Sequence, residues 1–233
     1  MVVAFKSGRN SLSAEVFTAS GIIGLVVLML VMVMHHPVAG QKDASAVVES
    51  IARQASAIRL VHGTVAAAMT VMTALMLGFA VRLDLTRPHI LLGAVSSGLA
   101  LIMICMAVLL DGFVPSELSI QCAISGGDCA GSVQALLRYG GLQIEFMTRF
   151  GLLALASATG LWASDLLFRT DGTRVFGVLG LISAVVQFGL LGFGGLLDPH
   201  SLSSIVAAQA VWYASVGAII IFRKGPYAVA AVM

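Results

Sequence analysis

Four of the five histidines of this chain stand at matching ends of apolar segments, at the same depth as two aspartates. His35 and His36 close the first segment, His62 opens the second, Asp111 closes the third, and Asp198 and His200 follow the fifth. Imidazole and carboxylate groups are zinc ligands, and three of them with a fourth position left for water make a catalytic zinc site. Consecutive elements tend to be spatial neighbours. The first three segments are therefore expected to bring His35 or His36, His62 and Asp111 to one level, with His200 and Asp198 as further candidates. A metal held there would activate water or carry out redox chemistry, with Glu145 or Asp198 as general base.

Methionines lie beneath this layer. Met32 and Met29 follow His36 along one stripe, Met69, Met72 and Met76 follow His62, and Met103 shares a face with Asp111. Thioethers are soft ligands that suit copper(I), so copper stands beside zinc as the expected metal, although methionine also fills gaps in any apolar bundle. Two other classes stay open. His36 and His62 on facing helices would ligate one haem, making a b-type cytochrome, whereas His89 on the opposite side has no partner for a second haem. The alternative without a cofactor is a transporter, or a non-catalytic subunit of an oligomer or larger membrane complex.

The elements that must position these residues are six apolar stretches, at about 16–34, 61–81, 90–110, 142–167, 175–197 and 205–221. Each is close to the ~20 residues a helix needs to cross ~30 Å of hydrocarbon. Hydrophobic residues make up 59% of the chain and charged ones 10%, against roughly 25% charged in an ordinary soluble domain. Lipid is the main solvent, and backbone groups in lipid must be satisfied within each segment, so the spans are helices. The expectation is an all-α bundle of six transmembrane helices in a single domain, 1–233, whose partner is membrane lipid. A net charge of +2 is too small to argue for nucleic acid. Lys6 and Arg9 precede the first apolar run as in a signal peptide, but that run exceeds the ~7–15 residues of a signal core, so a retained first span is expected.

Basic residues set the expected orientation. Lys6, Arg9, Arg82, Arg87, Arg169, Arg174, Arg223 and Lys224 are eight of the 13 lysines and arginines and share one side. By the positive-inside rule that side is cytoplasmic, with both termini. The chain is then an inner-membrane protein of bacterial type whose long connections, 37–60 and 112–140, are periplasmic. Cys122 and Cys129 flank Gly126-Gly127 in the second connection, and their pairing as a disulfide would suit an oxidising compartment.

These connections carry their own patterns. Between Asp43 and Arg59, Val47, Val48, Ile51, Ala55 and Ile58 recur at helical spacing, which predicts an amphipathic helix that either lies in the interface or extends the second span. Residues 132–138 read as a short helix ended by Gly140-Gly141. Glu145 and Arg149, one turn apart in the fourth span, are expected to form an ion pair. Gln187, near the middle of the fifth span, needs a partner and should face the bundle interior, while Gln209, Trp212 and Tyr213 suggest a polar cavity opening outward. Thr86 and Pro88 mark a helix start around His89, which receives no functional role.

Overall fold

Uninterrupted apolar sequence, with proline and aspartate confined mostly to helix ends, produces six helices: α1 (Asn10–Met34), α2 (Ala44–Leu83), α3 (Pro88–Ile124), α4 (Ala130–Leu167), α5 (Arg174–Phe193) and α6 (Pro199–Ile221). The computed structural model describes residues 10–34, 43–125, 129–170, 172–193 and 199–222, without the side chains of 10–14, 33–34, 193 and 199–200. All six helices are long and apolar enough to cross a membrane. The chain is an integral membrane protein with an all-α, six-helix architecture.

Each helix packs against its neighbour in sequence, and α6 returns to α1, so the six form a closed ring with an additional α2–α4 contact across it. Small residues set the closest approaches. A Cβ on Gly177 would lie 2.6 Å from the Leu167 nitrogen, and one on Gly180 would meet Ala163 and the Trp212 ring at 2.6 Å. These two glycines let α5 sit directly on α4 and α6, as small residues do between helices in lipid. Gly189 and Gly192 of the same helix have open space around them. Gly93 performs the same service for Trp162, whose indole nitrogen then donates to the Ile90 carbonyl at 3.2 Å.

The two ends of the bundle differ in build. With 40, 37 and 38 residues, α2, α3 and α4 are each about 55–60 Å long at ~1.5 Å per residue, nearly twice the ~30 Å of hydrocarbon. α1, α5 and α6 have 25, 20 and 23 residues. The excess of the long helices projects at one end, where Val48, Cys122 and Val133 are buried together with Leu118 and Leu137 packed against them. Cys122 and Cys129 are bonded, with Cα atoms 5.7 Å apart, and tie the α3–α4 turn at the tip of this projection. The connections read as long loops at 37–60 and 112–140 are thus largely helical among the described residues: the amphipathic segment after Asp43 is the upper part of α2, and α4 runs through Gly140 and Gly141 without a break. Val48 of α2 and Val133 of α4 are buried with Cys122 of α3 at this end, whereas a Cβ on Gly140 or Gly141 would meet no atom within 4 Å.

Local caps fit the ends. Asp43 extends its carboxylate to the Ala46 nitrogen and the Ser45 hydroxyl, which hold its carboxyl below the usual range. At the other end of α2, Asp84 has a positive φ of 98° and accepts from the hydroxyl and nitrogen of Thr86, which likewise lower its pKa. Thr86 therefore serves this turn and not α3, whose N-cap is Arg87 and whose first residue is Pro88.

Candidate functional site

His62 and Asp111 meet. Nε2 of His62 lies 3.0 Å from Oδ2 of Asp111, and Nδ1 lies 2.8 Å from the carbonyl oxygen of Ile58. The contact depends on Gly112, beside Asp111: a Cβ there would be 2.4 Å from the His62 Cβ, so only a glycine lets the imidazole rest on the α3 backbone. One turn on, Pro115 has no N–H to offer the carbonyl four residues back, and the Ser116 hydroxyl donates to the Gly112 carbonyl at 2.8 Å. The helix ladder is thus altered beside the pair.

Hydrogen-bond accounting fixes the protons. A backbone carbonyl only accepts, so Nδ1 of His62 must carry hydrogen. The bond between Nε2 and Asp111 needs one proton more, held either as imidazolium with carboxylate or as carboxylic acid with neutral imidazole. The pair therefore carries one transferable proton. The His62 side chain is nearly buried, while that of Asp111 is 42% exposed.

Below the pair, a cavity of about 200 Å³ runs between α1, α2, α3, α4 and α6. Its wall is mostly aliphatic and thioether, from residues such as Met29, Met32, Val65, Met69, Ile104 and Leu152; His62, Asp111, Thr148, Gln209 and Tyr213 supply the few polar groups. The polar cavity expected around the last span is therefore mostly apolar. Trp212 is packed in the core with Phe79 and faces away from it. The methionine stripes divide by depth, for Met72 and Met76 are fully buried lower down in the same core, and Met103 packs at Gly151.

Glu145 and Arg149 form the expected ion pair at 3.0 Å. Arg149 also donates to the Leu191 carbonyl at 3.4 Å, which links α4 to the end of α5, and Glu145 does not line the cavity. Its position is that of a structural partner and gives no support to a role as general base. His35, His36 and Asp198 lie outside the described residues, as does the side chain of His200. Among the described residues no group of three or more histidine, cysteine or acidic side chains could hold a metal ion, so of the expected ligand set the structure joins His62 and Asp111 alone. The haem reading pairs His62 with His36, which lies outside the described residues, and Nε2 of His62 is engaged by Asp111.

Two polar clusters were missed or underread from sequence. At the arginine-rich end, Asp165 accepts from Arg87 Nη1 at 2.6 Å and Arg169 Nε at 2.8 Å, with His89 Nε2 at 3.2 Å. Arg169 donates in addition to the Leu83 carbonyl at 3.3 Å. An aspartate four residues before an arginine in a span was the available signal. In the apolar layer, Gln187 faces the interior as expected and donates to Gln209 Oε1 at 2.8 Å and to Ser183. No protein-family model matches the chain, and no curated protein or solved structure is found to be similar to it.

Proposed function

We propose that this chain binds a small apolar molecule from the membrane, in the cavity beneath His62 and Asp111, and that the proton shared by this pair engages the ligand's polar end. The observation that supports the reading is a hydrogen-bonded imidazole and carboxyl set into a mostly apolar wall. Apolar cavities of ~150 Å³ stay dry and take up benzene, and a space of about 200 Å³ suits one ring or a short hydrocarbon segment. The disulfide end faces an oxidising exterior in this proposal, with Arg82, Arg87, Arg169 and Arg174 on the cytoplasmic side, as in a bacterial inner membrane with both termini inside. The binding test is identification of apolar molecules retained by the purified chain. They should be enriched over bulk lipid and lost in Val65→Phe, which fills the cavity; no enrichment in the unmodified chain would remove the proposal.

A second reading, metal binding by His62 and Asp111, is favoured by the Ile58 carbonyl on Nδ1. Metal-bound histidines usually donate their other ring nitrogen to such an acceptor. Zinc and copper(I) both suit donors present here, the latter through Met29, Met32 and Met69 on the same cavity. Stoichiometric zinc or copper in the purified chain, released by His62→Ala, is the expected outcome of this reading; less than a tenth of an equivalent would end it.

A further inference from the structure

The deep end of the cavity is lined by two hydrogen-bonding side chains, Gln209 and Tyr213. Gln187 Nε2 lies 3.2 Å from the Ser183 carbonyl, which only accepts, so this atom must be nitrogen. Gln209, which faces it at 2.8 Å, must then present oxygen, and that oxygen also accepts from the Thr159 hydroxyl at 3.3 Å. This chain of constraints makes the buried Gln209 Nε2 a donor, directed at the Tyr213 hydroxyl oxygen. Beside it is Tyr213, 3% exposed and part of the cavity wall. Its oxygen is hydrogen-bonded by the Gln209 side chain, so the hydroxyl proton is left to donate into the cavity. Buried polar groups at such depth are costly unless something completes them.

Helix contacts place these donors relative to the upper pair. Gly21 packs on Leu75 and Gly217 on Ile23, which puts residues 75 and 217 near one level. His62 is 13 residues above Leu75 and Tyr213 four above Gly217, so their Cα levels differ by about 14 Å at ~1.5 Å per residue. The ligand site therefore has two separate polar ends.

Resting on the apolar-ligand reading above, we propose that the cavity selects apolar molecules bearing an uncharged carbonyl oxygen, which the Tyr213 hydroxyl, oriented by the Gln209 amide, holds at its deep end. The hydroxyl proton is donated, so the partner is an acceptor. It is uncharged because no lysine or arginine lines the cavity, and an anion there would be desolvated without a counter-ion. Ketones, esters and quinones share this chemistry.

The test uses the purified full chain in nanodiscs with carbonyl-labelled ¹³C 2-nonanone, and nonane as its hydrocarbon counterpart. The bound ketone should show a carbonyl stretch at lower frequency than in protein-free nanodiscs, and should bind about five- to tenfold tighter than nonane, the effect of one good hydrogen bond. Tyr213→Phe should remove most of the shift and the preference while nonane still binds, which shows that the variant retains its cavity. Persistence of the full shift in both Tyr213→Phe and Gln209→Leu would overturn the assignment of these donors. Equal binding of ketone and alkane with an unshifted band would overturn the carbonyl selection and leave the apolar cavity standing. If neither molecule binds, the cavity reading fails and this proposal with it.

Discussion

Among the described residues, two histidine–aspartate contacts have nearly equal length, 3.0 Å for His62–Asp111 and 3.2 Å for His89–Asp165. Their surroundings make them different objects. Asp165, with its side chain 4% exposed, is saturated by Arg87, Arg169 and His89, and above it lies a closely packed core of Phe79, Leu83, Ile90, Trp162 and Leu166. His62 and Asp111 stand over a cavity, with the imidazole held by Ile58 and Asp111. The His89–Asp165 contact fastens the turn between α2 and α3 to α4; the His62–Asp111 contact holds a proton next to empty space. The pair itself therefore does not determine its use. The packing beneath it does.

Substitutions can separate the two. Removing the negative charge of Asp165 leaves guanidinium groups uncompensated at the end of the bundle, and loss of one member of a buried ion pair costs ~3–5 kcal/mol. Because Arg87 is half-exposed, Asp165→Asn should cost about 3 kcal/mol, read as a lower unfolding midpoint in detergent. An unchanged midpoint would remove the fastening role. Reduction of Cys122–Cys129 should come next, at about 2–3 kcal/mol in the chain-entropy account, and should expose two thiols to labelling. The loss should be confined to the projecting helices and leave the Asp165 end protected from hydrogen exchange; uniform loss of protection would show the two ends to be one cooperative unit.

Gly112→Ala drives a methyl group into His62 and should cost about 1–3 kcal/mol, as overpacking does. Its more telling effect is on the cavity, where retention of apolar molecules should fall with displacement of the imidazole. Retention equal to that of the unmodified chain would mean that the position of His62 is irrelevant to binding. The smallest change in stability is expected for Asp111→Asn, below about 1 kcal/mol, since a partly exposed pair contributes little. A loss above about 2 kcal/mol would place Asp111 with Asp165 as a fastening residue and dissolve the contrast between the ends.

The architecture was legible because lipid imposes it residue by residue. A run of ~20 apolar residues with no water to satisfy its backbone has one solution, and the disulfide and the Glu145–Arg149 pair are local in sequence, seven and four residues apart. The helical extensions were only half legible. The periodicity after Asp43 fitted either an interfacial helix or a longer span, which contact of Val48 with α3 decided; Gly140-Gly141 read as an end, yet α4 continues through them.

By itself the sequence determined six spans, their order, and the placement of His62 and Asp111 at one end of theirs, since each follows from hydropathy and counting. The tertiary structure alone decided that these two side chains touch, that Gly112 admits the imidazole, and that Glu145 turns to Arg149 and away from the cavity. It also decided that Asp165 gathers groups 76 and 78 residues distant, and that Tyr213 faces a void. The reason is physical. A helix fixes which residues share its faces, but the rotation of one helix against another is set by small residues meeting large ones, as Gly112 meets His62 and Gly93 meets Trp162. Those meetings are between residues far apart in the chain, where spacing along the sequence gives no measure of distance.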